Sequence, residues 1–262
     1  MVIGKKYHKS GLTNNFLNGA PEENGKVQRD GFLLAEIDLP KLKKPVPFII
    51  IMHGCTGVKD PAAKWSSRLA NSFTALGYGV LILDSFSTRH VSSVCGDANY
   101  HWAIRRVEDA YSALDYLVGN KLANPDEVFV LGRSNGALAA IMITEDYEVR
   151  DHQNHFAGAF AISPTCIGLE NSTVAIPTVI FTGDKDQAAV EPKYCESLNR
   201  SIGSPVQVIE FKGVYHGYED IDAHSVFHGW RMEYNAKAEQ YTMATIYERL
   251  KFKSFQRGIE GR

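Results

Sequence analysis

The chain has 262 residues, of which 44% are hydrophobic and 22% are charged, a composition that can fill the core of a globular protein. Its 28 basic and 30 acidic residues nearly cancel, which argues against nucleic acid as an electrostatic partner. No apolar run approaches the roughly 18 residues that a membrane-spanning helix needs, so we expect no membrane association.

The first 30 residues are polar and rich in turn-forming Asn and Gly, and we expect them to form an arm on the surface. They lack the apolar stretch of a signal peptide, so the chain as written is predicted to be cytoplasmic, with export left open if a leader was removed. Residues 258–262 resemble the remnant of a tag-removal protease site and are left out of the fold prediction.

From Phe32 onwards, short apolar runs alternate with amphipathic stretches. The runs that predict strands are 32–37, 48–52, 80–83, 128–131, 157–162, 179–181 and 206–211. The stretches that predict helices are 65–76, 104–117, 137–143 and 234–252. This alternation is typical of an α/β fold with a doubly wound, mostly parallel sheet and helices on both faces. No Pro-, Gly- or Ser-rich linker divides residues 31–257, which are therefore predicted to form one domain.

The four cysteines, Cys55, Cys95, Cys166 and Cys195, show no C-x-x-C spacing. The sequence therefore does not indicate a zinc or thioredoxin-like site. An even number of cysteines permits disulfides, but four in a chain of this length do not make a disulfide-rich scaffold. We expect mostly free or buried thiols.

The pentapeptide Gly132-Arg133-Ser134-Asn135-Gly136 follows a predicted buried strand and precedes a predicted helix of small apolar residues. In that context a G-x-S-x-G motif predicts a nucleophile elbow, with Ser134 at the tip of a strand–turn–helix. The alternative is a glycine-rich turn in which Ser134 only caps the helix.

A serine nucleophile needs a base, and the base needs a carboxylate to orient it. His216 follows the strand at 206–211 on a glycine-flanked loop, and we expect it to be the base. Asp184 and Asp186 both follow the strand at 179–181. Spacing alone leaves the choice of acid open, since Asp184 could instead stabilise the turn.

An acyl-transfer site also needs two backbone N–H donors for the oxyanion. The residue after the nucleophile, Asn135, is predicted to supply one of them. The second is assigned to Cys55, in the loop His53-Gly54-Cys55-Thr56-Gly57 that follows an early strand. His53 is expected to stabilise this loop rather than to act as a base.

Together these segments resemble the dienelactone hydrolase family over about residues 32–252. The matching motifs are the His53 loop, Asp84-Ser85-Phe86 with Arg89, the Ser134 pentapeptide, Gly183-Asp184-Lys185-Asp186 and Tyr215-His216-Gly217. The resemblance implies an α/β-hydrolase fold that acts on esters and lactones without a metal or organic cofactor. It also implies that the acid is Asp186, the third residue after the glycine. The enzymes that give the family its name use a cysteine nucleophile, so Ser134 points to the serine-bearing carboxylesterase relatives.

Only 14 residues separate Ile162 from Pro177, too few for a helical lid, so we predict an open site without a cap domain. Arg89 is predicted to bind a substrate carboxylate, with pairing to a structural carboxylate such as Asp84 as the alternative. Tyr215, next to His216, is assigned to substrate binding as well. The aromatic segment after His216 is expected either to line the pocket or to pack the last helix. Residues His224 and His228 have the spacing of two metal ligands on a helix but lack the glutamate of an HExxH motif, so no metal is predicted there.

The sequence therefore predicts a serine hydrolase that cleaves small or exposed esters or lactones through an acyl-enzyme. The alternatives are a serine peptidase on the same fold and a catalytically silent binding protein. We expect a monomer or a homodimer with a small-molecule substrate.

Overall fold

The structure is a computed structural model that describes residues 13–18, 32–59, 62–96, 99–170, 172–188, 193–198 and 204–251. The predicted protease-site remnant at 258–262 and most of the predicted N-terminal arm lie outside the described residues.

Eight strands form one sheet in the spatial order β1-β2-β4-β3-β5-β6-β7-β8. They are β1 (Thr13–Asn18), β2 (Phe32–Asp38), β3 (Val46–Met52), β4 (Gly79–Asp84), β5 (Ala123–Arg133), β6 (Gly158–Ile162), β7 (Thr178–Gly183) and β8 (Val206–Phe211). Strands β3 to β8 are parallel, whereas β2 is antiparallel to both β4 and β1. The predicted mostly parallel, doubly wound sheet is confirmed.

Helices cover both faces of the sheet. They are α1 (Ala62–Ala75), α2 (Asn99–Gly119), α3 (Asn135–Met142), α4 (Asp146–Asp151), α5 (Lys193–Ser197) and α6 (Ala236–Lys251). The side chains of β3 point alternately to the two faces of the sheet. Ile50 packs with residues of α2 and α3 on one face, and Ile49 and Ile51 pack with residues of α1 and α6 on the other. A strand buried on both faces needs a continuous apolar sequence, which is why β3 was readable from its sequence. No helix in the described part of the chain is both long and apolar enough to cross a bilayer.

The seven predicted strands and four predicted helices are present, with ends that differ by a few residues. The described residues between β6 and β7, 163–170 and 172–177, contain no helix, in agreement with the predicted absence of a cap domain. Five of the strands and helices were not predicted: β1, the short helices α4 and α5, and the two strands of a hairpin, β9 (His224–Phe227) and β10 (Trp230–Glu233). Strand β1 falls in the predicted surface arm but pairs with the edge strand β2, because an edge offers backbone N–H and C=O groups to any extended segment. The two histidines with helical ligand spacing lie in this hairpin rather than on a helix.

All four cysteines are paired, as Cys55–Cys95 and Cys166–Cys195. The expectation of mostly free thiols was wrong. Partners that are 40 and 29 residues apart in sequence are brought together only by the folded chain, so spacing could not reveal them. The pairs differ in accessibility, since Cys166 and Cys195 are buried whereas Cys55 and Cys95 are half-buried.

This difference predicts the order of reduction. Mild reductant applied to the folded protein should open Cys55–Cys95 first, because a thiolate must reach a sulfur atom to attack it. Alkylation followed by mass spectrometry should label Cys55 and Cys95 well before Cys166 and Cys195. Labelling of all four cysteines at one rate would contradict the difference in burial.

Candidate active site

Strand β5 ends at Arg133 and helix α3 begins at Asn135, so Ser134 alone forms the turn between them. Its backbone has φ 52° and ψ −121°, in a region that non-glycine residues rarely adopt. Hydrogen bonds hold this conformation: Ser134 N–H donates to Ile162 O at 2.8 Å, and Ser134 O accepts from Leu138 N–H at 3.1 Å. Strained backbone fixed by its surroundings is typical of functional sites.

The two glycines of the pentapeptide allow the strand and the helix to approach this closely. A Cβ atom on Gly132 would lie 2.1 Å from the carbonyl oxygen of Gly136. A Cβ atom on Gly136 would in turn lie 2.3 Å from the carbonyl oxygen of Met52 at the end of β3. Both contacts are far shorter than van der Waals distance, so any side chain there would push the elbow apart.

His216 and Asp186 form a buried pair, with 2.7 Å between His216 Nδ1 and Asp186 Oδ2. The other carboxylate oxygen of Asp186 accepts the Ala188 N–H at 3.0 Å, which fixes the plane of the carboxylate. With Nδ1 engaged, Nε2 is the ring nitrogen left to exchange a proton with a hydroxyl group. The structure therefore gives His216 the orientation that a general base needs.

Asp184, the competing acid, has a different partner. Its Oδ1 accepts the Gly213 N–H at 2.6 Å and so links the loop after β7 to the loop after β8. The structure therefore pairs Asp186, rather than Asp184, with His216.

Ser134 and His216 line one pocket of about 160 Å³, together with Gly54, Cys55, Thr56 and Arg133. A larger cavity of about 470 Å³ lies between α1 and α6, but no residue of the Ser134, Asp186 and His216 set lines it. We take the smaller pocket as the candidate active site because it joins the strained serine to the oriented histidine.

The loop after β3 forms the pocket wall beside the serine. A Cβ atom on Gly54 would lie 3.5 Å from Ser134 Cβ, in ordinary van der Waals contact, so the loop backbone passes directly over the elbow. The next residue, Cys55, accepts the Val94 N–H through its carbonyl oxygen at 2.9 Å and is bonded to Cys95. Two neighbouring bonds thus tie this loop to the segment after β4.

His53 supports the same loop from below and is fully buried. Its Nδ1 lies 2.7 Å from Gly54 O, and its Nε2 accepts the Ser85 N–H at 3.4 Å. Only the neutral ring with its proton on Nδ1 can make both bonds. Burial, and next the cation of Arg106, hold the pKa of His53 well below its usual value, consistent with that neutral form and with the structural role expected from sequence.

Arg106 is a feature of the site that sequence reasoning missed. It is fully buried in α2, and its Nη1 donates to the side-chain oxygen of Asn135 at 2.6 Å. Burial lowers its pKa to about 10, against the opposing effect of Asp109 and Asp84. A buried cation therefore holds Asn135, the residue that follows Ser134.

Arg89 does not occupy the position predicted for a carboxylate-binding residue. Its two terminal nitrogens each lie 2.8 Å from an oxygen of Asp109, and Nη1 also donates to Ser85 O at 2.7 Å. The side chain is only 7% exposed. The structure thus uses Arg89 in a buried ion pair, although with Asp109 rather than the suggested Asp84, and we do not retain it for substrate binding.

Tyr215, the other residue assigned to substrate binding, contacts Arg231 instead. The Arg231 guanidinium lies 4.3 Å above its ring, and Arg231 Nη1 donates to its hydroxyl at 3.3 Å. Among the described residues, those that line the pocket do not include Tyr215.

Arg133, the residue before the serine, bonds the elbow to the loop that carries His216. Its Nε lies 3.0 Å from Glu219 Oε1, and its Nη1 lies 3.1 Å from Asp220 Oδ2. The guanidinium carbon also lies 5.0 Å from the centre of the Trp65 ring. Because these carboxylates follow His216 closely in sequence, the ion pairs fix the histidine loop relative to the elbow.

The unpredicted hairpin completes the pocket. Glu233 N–H donates to His216 O at 3.2 Å, and Met232 forms a parallel β-bridge with His216. The hairpin backbone is therefore hydrogen-bonded to the histidine itself. The hairpin residues that line the pocket are Ser225, Phe227, Trp230 and Met232. Both roles considered for the aromatic segment are present: Phe227 and Trp230 line the pocket, whereas the buried Tyr218 packs against α6 and its hydroxyl lies 2.9 Å from Thr242 Oγ1.

Sheet topology, the serine elbow and the following acid and histidine together define an α/β hydrolase fold without a cap domain. A family model described as the prolyl oligopeptidase family matches residues 65–167, and no curated protein matches the chain.

Solved structures extend the similarity to nearly the whole chain. The dienelactone hydrolase-like promiscuous phosphotriesterase P91 from metagenomic libraries is 16% identical, with a TM-score of 0.65, and the match covers 91% of this chain and 97% of that one. A putative dienelactone hydrolase from Klebsiella pneumoniae is 11% identical, with a TM-score of 0.67 and coverages of 92% and 99%. Esterase 2 from Thermogutta terrifontis is 17% identical, with a TM-score of 0.64 and coverages of 92% and 95%. The resemblance to dienelactone hydrolases is therefore confirmed at the level of the fold.

The close approach at the elbow predicts a stability difference between two glycine variants. Gly136→Ala should lower the free energy of unfolding by about 2 kcal/mol or more, because its methyl group would overlap backbone that cannot move away. Gly119→Ala, at the end of α2, should change it by about 1 kcal/mol or less, because an added Cβ meets nothing within 4 Å. Urea denaturation of both variants measures the difference. Equal effects would show that the elbow is not as tightly packed as described.

Proposed function

We propose that this chain is a serine hydrolase that cleaves carboxylic esters or lactones, with Ser134 as nucleophile, His216 as base and Asp186 as the orienting acid. The observation that carries the proposal is the position of Ser134: a half-buried serine with strained backbone, in one pocket with a histidine whose Nδ1 is bound by a carboxylate. A serine that only capped the helix would need neither a strained backbone nor an oriented histidine in the same pocket.

In the proposed reaction, Ser134 Oγ attacks the ester carbonyl carbon while His216 Nε2 takes the hydroxyl proton. The tetrahedral intermediate collapses, and the C–O bond to the alcohol breaks as His216 returns the proton to the leaving oxygen. A water molecule, activated by the same histidine, then cleaves the acyl-enzyme and restores the serine. Asp186 holds the histidine ring in place and stabilises its positive charge in both steps.

We assign the oxyanion hole to the backbone N–H groups of Cys55 and Asn135. The passage of Gly54 over Ser134 supports the first donor, since it brings the next peptide unit to the pocket wall. The position of Asn135 at the first turn of α3 supports the second, because N–H groups there point out of the helix and carry its positive end. The buried Arg106 cation next to Asn135 adds positive potential on the same side.

A serine peptidase is the second candidate, favoured by the match of residues 65–167 to the prolyl oligopeptidase family model. That match includes Ser134 but ends before Asp186 and His216. Hydrolysis of aminoacyl-naphthylamides at rates comparable to those for esters would favour this reading. Ester hydrolysis without amide hydrolysis would favour the esterase.

Replacement of the nucleophile tests the proposal. Ser134→Ala should lower kcat for p-nitrophenyl acetate on the order of 10⁴-fold or more, and it should abolish any burst of p-nitrophenol from acyl-enzyme formation. His216→Ala should have a similar effect, and the double variant should lose little further, because groups that act as one unit are not additive. Retained hydrolysis in Ser134→Ala would refute the nucleophile, and absent hydrolysis in the wild type would favour the silent binding protein.

The choice of acid can be tested with a matched pair of variants. Asp186→Asn should remove most of the activity while leaving the fold intact, because the amide would orient the imidazole in the wrong tautomer and could not stabilise its charge. Asp184→Asn changes the charge equally only two residues away and should retain most of the activity, because Asp184 contacts the Gly213 backbone instead. Steady-state kinetics with circular dichroism as a folding control measure both. A reversed order would place the acid at Asp184.

A further inference from the structure

We propose that the pocket selects esters that carry a positively charged group, such as a substituted ammonium, over neutral esters of the same shape. The proposal rests on the proposed hydrolase function and names the substrate class of the same site. It differs from the carboxylate-bearing substrate that Arg89 suggested, and it follows from the charges and rings of the pocket wall.

The cation on the pocket wall is already bound by carboxylates. Of the charged residues that the structure describes around the pocket, apart from the Asp186 and His216 pair, only Arg133, Asp220 and Asp222 line it. The guanidinium of Arg133 is held by Glu219 and Asp220 at 3.0 and 3.1 Å, and the Arg133 side chain is 9% exposed. It therefore offers little positive potential to an incoming substrate.

Arg68 on α1 is a fourth charged residue near the pocket, but it does not neutralise the carboxylates there. Its Nη2 lies 2.9 Å from Asp220, so its main contact is with a carboxylate that Arg133 also binds. In this network, two guanidinium groups therefore face three carboxylates, those of Glu219, Asp220 and Asp222, which leaves one net negative charge. The buried Arg106 does not change this balance, because it and Arg89 are offset by Asp109 and Asp84. The Arg231 and Glu233 side chains of the hairpin pair with each other and cancel.

The residual negative charge is accessible at Asp222. Its Oδ2 lies 3.5 Å from Arg68 Nη1, which is the longest contact of the network, and both side chains are 44% exposed. An ion pair of this length between exposed groups is weak and screened by solvent. Asp222 is therefore the carboxylate of the pocket wall that can turn to a substrate cation.

Aromatic rings stand on the hairpin side of the same pocket. Phe227 and Trp230 are directly paired across the turn of the hairpin, and both are half-buried and line the pocket. Aromatic faces attract cations, and together with a carboxylate they form the usual surroundings of a bound ammonium group. The pocket volume of about 160 Å³ is close to the roughly 150 Å³ cavities that hold one benzene molecule, so a single group such as trimethylammonium fits.

A pair of substrates of equal shape tests the proposal. Acetylthiocholine and 3,3-dimethylbutyl thioacetate differ by the replacement of a quaternary nitrogen with carbon, and both release a thiol that can be measured continuously. The wild type should show a kcat/KM for the cationic ester higher on the order of tenfold. Asp222→Asn and Phe227→Leu should each reduce this ratio, and added salt should reduce it in the wild type.

The matched control is Asp126→Asn, which removes the same charge from an exposed position in β5 several residues before the elbow. It should leave both the activity and the ratio unchanged. A wild-type ratio of one or below, or a ratio that Asp222→Asn leaves unchanged, would overturn the proposal even if both esters are hydrolysed.

A binding measurement separates this proposal from the hydrolase function. In Ser134→Ala, tetramethylammonium should alter the fluorescence of Trp230, and Asp222→Asn in the same background should weaken that binding several-fold. If tetramethylammonium binds but neither the wild type nor any variant hydrolyses an ester, the proposed reaction is refuted and the cation site is not. If neutral esters are hydrolysed but tetramethylammonium does not bind, only the selectivity is refuted.

Discussion

The close approach of β5, α3 and the end of β3 around Ser134 is the constraint on which the rest of the site depends. Gly132 and Gly136 bring backbone to distances that admit no Cβ atom, and the hydrogen bond from Ser134 N–H to Ile162 O fixes the turn from the neighbouring strand. Because β3, β5 and β6 all contribute to this turn, the conformation of Ser134 depends on the centre of the sheet. The loop over Ser134, the histidine loop and the hairpin are then placed relative to a rigid point.

Ion pairs extend this rigidity outward. Arg133 is part of the elbow, and its side chain forms ion pairs with Glu219 and Asp220 in the loop that carries His216. Such buried pairs add little net stability against an apolar replacement, yet removal of one partner leaves an uncompensated charge and is strongly destabilising. Their role is therefore better described as fixing the distance between the serine and the histidine. In the proposed selectivity for cationic esters, the same carboxylates also supply the negative charge of the pocket wall.

The parts of the fold that sequence could predict are those where the local pattern has a single interpretation. A strand buried on both faces must be continuously apolar, and an elbow of this kind needs its two glycines, so β3 to β7 and Ser134 were readable. Spacing left Asp184 and Asp186 equivalent, and only the resemblance favoured the residue that pairs with His216. The partner of Arg89 could not be read at all, because Asp109 lies 20 residues away on a different element. The hairpin escaped prediction for another reason: each of its strands has only four residues, so the alternation of apolar and charged residues in Trp230–Glu233 is too short to distinguish a strand from a loop.

The Cys55–Cys95 bond has a practical consequence for anyone who prepares the protein. Disulfides persist in oxidising compartments and are rare in the cytosol, where thiols are kept reduced. In protein that is produced in a reducing cytoplasm, the loop beside Ser134 would therefore lack its covalent tether to Cys95. Specific activity would then vary from batch to batch with the oxidation history of the sample. Purity and yield would give no sign of the difference.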